Sequence, residues 1–133
     1  MGGSVEMALQ EVTQAIATRN ASKLKNIHQI EQKINEDHIK IDETCLTVLA
    51  KQSPVAKDLR LILSVLKINT DLERMGDQVM NITYTTGDYL TRPPLAQVSM
   101  ITQMGDFVRK MVKESLDCFV KGDADHSRQI LLM

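Results

Sequence analysis

The sequence predicts an all-α protein: an antiparallel three-helix bundle of up-and-down helices, followed by the start of a second repeat. Three observations carry that prediction. Apolar residues recur at three- and four-residue steps through most of the 133 residues. Strong breakers fall at only a few places, namely Asn20-Ala-Ser22, Gln52-Ser-Pro54, Thr91-Arg-Pro-Pro94 and Lys121-Gly-Asp123. The stretch from Met104 onward then reproduces the punctuation of the opening stretch.

Taken in order, Val5, Leu9, Val12 and Ile16 keep helical spacing and place a first helix over roughly 4–19. Asn20-Ala-Ser22 interrupts it, and Ser22 suits the N-cap of a second helix that runs to about Gln52. The apolar row of that helix is Leu24, Ile27, Ile30, Ile34, Ile41, Cys45, Val48 and Leu49. A third helix opens with Ser53 as N-cap, Pro54 at the first helical position and Asp58 in the first turn, and continues to about Tyr89. Its stripe is Leu61, Val65, Ile68, Leu72, Met75, Val79 and Ile82. At ~1.5 Å per residue the second and third helices would each be roughly 45–55 Å long. The short Gln-Ser-Pro turn between them makes them antiparallel neighbours.

Thr91-Arg-Pro-Pro94 ends the first unit, so the expected domains are residues 1–91, a complete three-helix bundle, and 92–133, an incomplete second repeat. A fourth helix is expected over about 96–121, with Gly122 as its C-cap and Asp123 as N-cap of a fifth that reaches Met133. At an offset of 103 residues Met1-Gly2 meets Met104-Gly105, and Val5, Glu11, Ile16, Asn20, Ala21 and Ile27 meet Val108, Glu114, Phe119, Asp123, Ala124 and Ile130. The final Ile130, Leu131, Leu132 and Met133 lack packing partners on this reading, which suggests a fragment or a chain that completes itself by association.

Composition limits the function classes. Apolar residues are 43%, charged residues 25% and aromatics 3%, with eight Met and no Trp, which describes one globular domain with an aliphatic, Met-filled core. A net charge of -1 with interspersed signs has nothing of a nucleic-acid footprint. Apolar runs are too short to span a bilayer and no signal peptide opens the chain, so a cytosolic protein is expected. Cys45 and Cys118 each stand alone in a helical pattern and read as small core residues of a reduced protein. No Ser/His/Asp or Cys/His arrangement and no phosphate-cradling glycine loop is present, so no catalytic residue is assigned and an enzyme is not expected. A carboxylate-bridged diiron oxidase wants Glu-x-x-His motifs on facing helices, and none exists.

Two polar rows lie beside the apolar stripes. On the third helix it is Thr70, Glu73, Asp77, Asn81 and Tyr84; on the second it is His28, Glu31, Asn35, His38 and Asp42. Glu73 and Asp77, at i and i+4, repel by roughly 0.2–0.5 kcal/mol in an isolated helix, and a cation would remove that cost. Oxygen ligands suit hard cations. If the two helices are antiparallel, Glu31, Asn35, Glu73 and Asp77 converge. On spacing alone a solvated face is the better reading, because acid pairs one turn apart are common there and Arg74 could neutralise one of them. His28 and His38 read as rim residues. Gly76, inside the helix, either lets another helix approach or leaves room for an ion.

The run Pro54-Val-Ala-Lys-Asp-Leu-Arg60, then Lys67-Ile68, Asp71-Leu-Glu-Arg-Met-Gly-Asp77 and Asn81-Ile82, resembles the signature of the PhoU family of phosphate-signalling regulators. Met1-Gly2-Gly3-Ser4-Val5-Glu6 and Met104-Gly105 resemble the start of each family repeat, so the resemblance covers essentially the whole chain. It implies two tandem spectrin-repeat-like bundles, of which this chain holds the first and part of the second. It also implies Glu/Asp-x-x-x-Asp motifs that bind multinuclear iron or other divalent ions. Here Glu73 and Asp77 are intact, whereas Glu31 is followed by Asn35 in place of a second acid, one charge fewer than a full cluster wants. The implied metal ligands are therefore Glu31, Asn35, Glu73 and Asp77, for iron, zinc, manganese or magnesium, with no other cofactor. The resemblance further implies a cytoplasmic, homodimeric negative regulator of phosphate homeostasis. Its partners would be the ATPase of the phosphate ABC transporter and a sensor histidine kinase, and it would meet the membrane only through them. The rival readings are a metal-free interaction module with Glu73, Arg74 and Asp77 as its recognition face, and a truncated fragment without function.

Overall fold

The computed structural model describes residues 1–133. It is built from five α-helices and one 3-10 segment, with no strand: α1 (Gly2–Thr18), the 3-10 segment Ala21–Asn26, α2 (Ile27–Gln52), α3 (Ala56–Leu90), α4 (Val98–Lys121) and α5 (Ala124–Ile130). The all-α bundle expected from periodicity is what forms. No helix is long and apolar enough to cross a membrane.

Two helix starts differ from expectation. Asn20, not Ser22, does the capping after α1: its side chain accepts from Ser22 N at 2.9 Å and opens the 3-10 segment, so α2 begins only at Ile27. Ser53 is not the N-cap of α3. It is the left-handed C-cap of α2 (φ 45°), and Ala56 is also left-handed (φ 45°), so Pro54 lies inside a tight turn and α3 begins after it. A residue before proline is steered away from the right-handed helical region, which ends α2 there.

α1 is the central helix, packed against α2, α3 and α4, and it supplies Val5, Ala8, Leu9 and Val12 to the core. Ile27 and Ile34 of α2, Leu72, Val79 and Met80 of α3, and Val112 of α4 complete it. Each of the Val, Leu, Ile and Met side chains contributes about 1.5–3 kcal/mol when fully buried. The start of α1 is tied to the middle of α2 by an ion pair between the Met1 amino group and Asp37 Oδ2 at 2.9 Å.

The buried stripe of α3 is not quite the expected one. Asn69, Leu72, Gly76, Val79, Met80, Thr83 and Thr86 are buried, while Leu61, Met75 and Ile82 are exposed. Purely apolar counting misses this stripe because three of its members are polar. Thr83 is made compatible with burial by donating its hydroxyl to Val79 O at 2.8 Å. At Gly76 a Cβ would stand 3.2 Å from both Cδ1 and Cγ2 of Ile34, so the glycine serves close approach of α2 rather than space for an ion.

α4 lies along α1 and makes no backbone-level contact with α3. Gly105 faces Thr13 and Gly2 faces Leu116, so the two helices run antiparallel. The punctuation of the opening recurs in three dimensions. Arg19 and Gly122 are both left-handed C-caps, Asn20 and Asp123 both cap the next turn, and Glu11–Lys23 (3.4 Å) is matched by Glu114–His126 (3.7 Å). Both cysteines are buried and unpaired.

Candidate functional site

The polar rows of α2 and α3 do face one another, in a register set by four observed levels. His28 and Tyr84 pack ring to ring at 5.9 Å; Glu31 and Asp77 border one concavity; Ile34 rests on Gly76; and Asn69 reaches the His38–Asp42 turn. The helices form this seam because each places a polar residue at the edge of its apolar stripe every three or four positions.

The concavity has a volume of about 330 Å³ and is lined by His28, Glu31, Asp77, Met80, Asn81 and Tyr84. Two of the four expected residues thus share it. Asn35 is beside Glu31, its Nδ2 donating to Glu31 Oε1 at 2.5 Å, so the amide partly satisfies the carboxylate. Glu73 is half-buried one turn away along α3, toward Asn69, and is not part of the lining. Arg74 does not neutralise this row: it turns to Asp71, at 4.0 Å, with both side chains exposed. None of Glu31, Glu73 and Asp77 has a cationic side chain within ion-pair distance.

Nowhere do three or more His, Cys, Asp or Glu side chains converge as a ready metal site. The donor chemistry is two carboxylates over one open concavity, with an amide engaged with one of them. That suits a hydrated hard cation, which keeps several waters and needs only one or two carboxylates. It does not suit a multinuclear cluster, which needs more bridging acids than these residues supply.

The level that sequence reasoning missed is Asn69. It is 2% exposed, and its Nδ2 donates to His38 O at 2.9 Å and to Asp42 Oδ1 at 2.7 Å. His38 Nε2 stands 3.7 Å from Asp42 Oδ2. Asn69 Oδ1 and His38 Nδ1 are buried without partners. Thr70, the residue expected in this row, is exposed and returns its hydroxyl to Leu66 O at 3.1 Å. The available signal was spacing: 69, 72, 76, 79, 83 and 86 alternate by three and four, which the seven apolar residues chosen for the stripe obscured.

The family model for the PhoU domain matches residues 1–86. A phosphate-specific transport system accessory protein PhoU homolog of Pseudomonas putida is 35% identical over 127 residues, covering 94% of this chain and 49% of that protein. The phosphate-specific transport system accessory protein PhoU of Escherichia coli (strain K12) is 28% identical over 130 residues, covering 98% of this chain and 54% of that protein. The crystal structure of PhoU from Pseudomonas aeruginosa superposes with a TM-score of 0.92 at 32% identity, covering 97% of this chain and 62% of that one. The chain thus spans about half the length of the curated relatives it matches.

Proposed function

This chain belongs to the PhoU family, and from that premise we propose that it regulates phosphate transport as a non-catalytic, cytosolic accessory protein. The observation that carries the reading is the α3 signature: its acidic residues Glu73 and Asp77 lie on the seam with α2 and no side-chain cation neutralises them. An accessory protein works by docking, and an acidic seam on two rigid helices offers partners charge complementarity in a fixed geometry. The partners proposed are the ATPase of the phosphate transporter and the sensor kinase coupled to it, both held in a restrained state while phosphate is plentiful.

Co-purification with the transporter ATPase tests this. Glu73→Ala with Asp77→Ala is expected to weaken capture at least about tenfold, the worth of ~1.4 kcal/mol; capture unchanged by the double substitution would remove the seam from the docking surface. Two versions of the reading differ in the role of metal. In the first, a hydrated divalent or ferric ion sits at Glu31 and Asp77, reaches Asn35 and Glu73 only through its waters, and stiffens the seam. The second is metal-free docking, which the Asn35–Glu31 hydrogen bond favours because it satisfies one carboxylate without an ion. Capture that persists in chelator selects the second; capture lost in chelator and restored by Mn²⁺ or Fe²⁺ selects the first.

A further inference from the structure

We propose that Arg19 is a clasp that ties the end of α1 to the α3–α4 connection and so sets how α4 leaves the bundle. Arg19 is the C-cap of α1 in the left-handed conformation, φ 50° and ψ 38°. The corresponding residue one repeat later is Gly122, also left-handed, with φ 69°. Glycine takes that conformation without strain, and an L side chain does not. The first repeat therefore keeps a strained residue where the second shows that the turn can be made without one.

What the arginine does at that position is specific. Its Nη2 donates to Leu90 O at 2.9 Å and to Arg92 O at 2.6 Å, the carbonyls that end α3 and begin the connection. The guanidinium also lies over the Tyr89 ring, 4.9 Å from its centroid. A cation at a helix C-terminus satisfies orphan carbonyls and the negative end of the dipole together. Its other terminal nitrogen, Nη1, is buried without a partner, a second cost beside the backbone strain. Two costs retained at one residue point to a contact that offsets both.

The contact also has a geometric consequence. The connection 91–97 contains Pro93 and Pro94, which cannot donate backbone hydrogen bonds, and it is held further by Leu95 N reaching the Tyr89 hydroxyl at 3.5 Å. Arg19 thus secures the two carbonyls next to the prolines while Tyr89, under the guanidinium, secures the residue after them. From there the chain must bring Gly105 onto Thr13, since α4 rests on α1 and not on α3. Loosening the clasp should therefore release the first turns of α4 as well as the connection itself.

The sign of one substitution decides the matter. If Arg19 were merely a poorly chosen cap, Arg19→Gly would relieve strain and raise the Tm; as a clasp, its loss lowers the Tm by about 3–6 °C. Hydrogen exchange at the amides of Arg92, Leu95 and the first turns of α4 is expected to accelerate about tenfold or more in Arg19→Gly, with α2 unchanged. Arg19→Lys keeps the charge without the planar fork and is expected to recover only part of the protection. Tyr89→Leu combined with Arg19→Gly is expected to cost less than the sum of the two. A Tm that rises in Arg19→Gly, or exchange confined to α1, overturns the proposal.

Discussion

Single side chains give this protein two titrating edges. Asp37 is held below the usual carboxylate range, chiefly by its hydrogen bond to the Met1 amino group. Its folded pKa lies below its unfolded value, so it stabilises fully above pH ~4 and loses that contribution as the pH falls through the lowered pKa. Burial pushes the Cys45 and Cys118 thiols up, with Asp42 and Asp123 adding to the effect. A raised folded pKa works in the opposite sense: the contribution is complete below pH ~8.5 and fades as the pH rises. Urea midpoints are expected to fall toward both ends. Asp37→Asn should flatten the acid limb and Cys45→Ala with Cys118→Ala the alkaline limb; limbs unchanged by these variants would assign the edges to other groups. The burial of both cysteines was legible from their isolation in apolar patterns. The burial of Asn69 was not, because a polar residue is buried only when a partner on another helix meets it, and its partner lies 27 residues away at Asp42.

Among the elements, α3 and α4 show the two uses of a helical glycine. A Cβ at Gly87 would meet nothing within 4 Å, so Gly87→Ala should stabilise by about 0.5–1 kcal/mol through backbone entropy alone. A Cβ at Gly105 would run into the Oγ1, Cγ2 and Cβ of Thr13, which is itself buried at 7% exposure. Overpacking of that kind costs about 1–3 kcal/mol, more than the helix propensity regained. Gly105→Ala should therefore lower the urea midpoint and speed hydrogen exchange along α4. Equal shifts for the two variants would mean that α4 does not pack on α1 through Gly105. Helix existence and the breakers could be read from the chain, since they depend on local spacing and caps. The start of α2, displaced to Ile27 by the 3-10 segment that Asn20 caps, and the true face of α3, set by what packs against it, could not.

For the molecule as a whole, a cation bound at the α2–α3 seam would register as added stability. At ten times its Kd an ion that binds only the folded state adds about 1.4 kcal/mol, so Mn²⁺ or Mg²⁺ in the millimolar range should raise the Tm by about 3–5 °C. Asp77→Asn with Glu31→Gln should abolish the increase. No increase in the unsubstituted protein would leave the seam as a metal-free docking face. Sequence by itself determined the all-α class, the order of helices and the family, because helical periodicity and the α3 signature are local properties of the chain. Tertiary structure alone decided which polar residues meet. It put Glu31 and Asp77 over one concavity, left Glu73 one turn away, turned Arg74 toward Asp71, and brought Asn69 to Asp42 and Arg19 to the end of α3. The physical reason is register. The spacing of residues along one helix says which share a face, but the level at which two helices meet is set by the fit of groups such as Ile34 against Gly76.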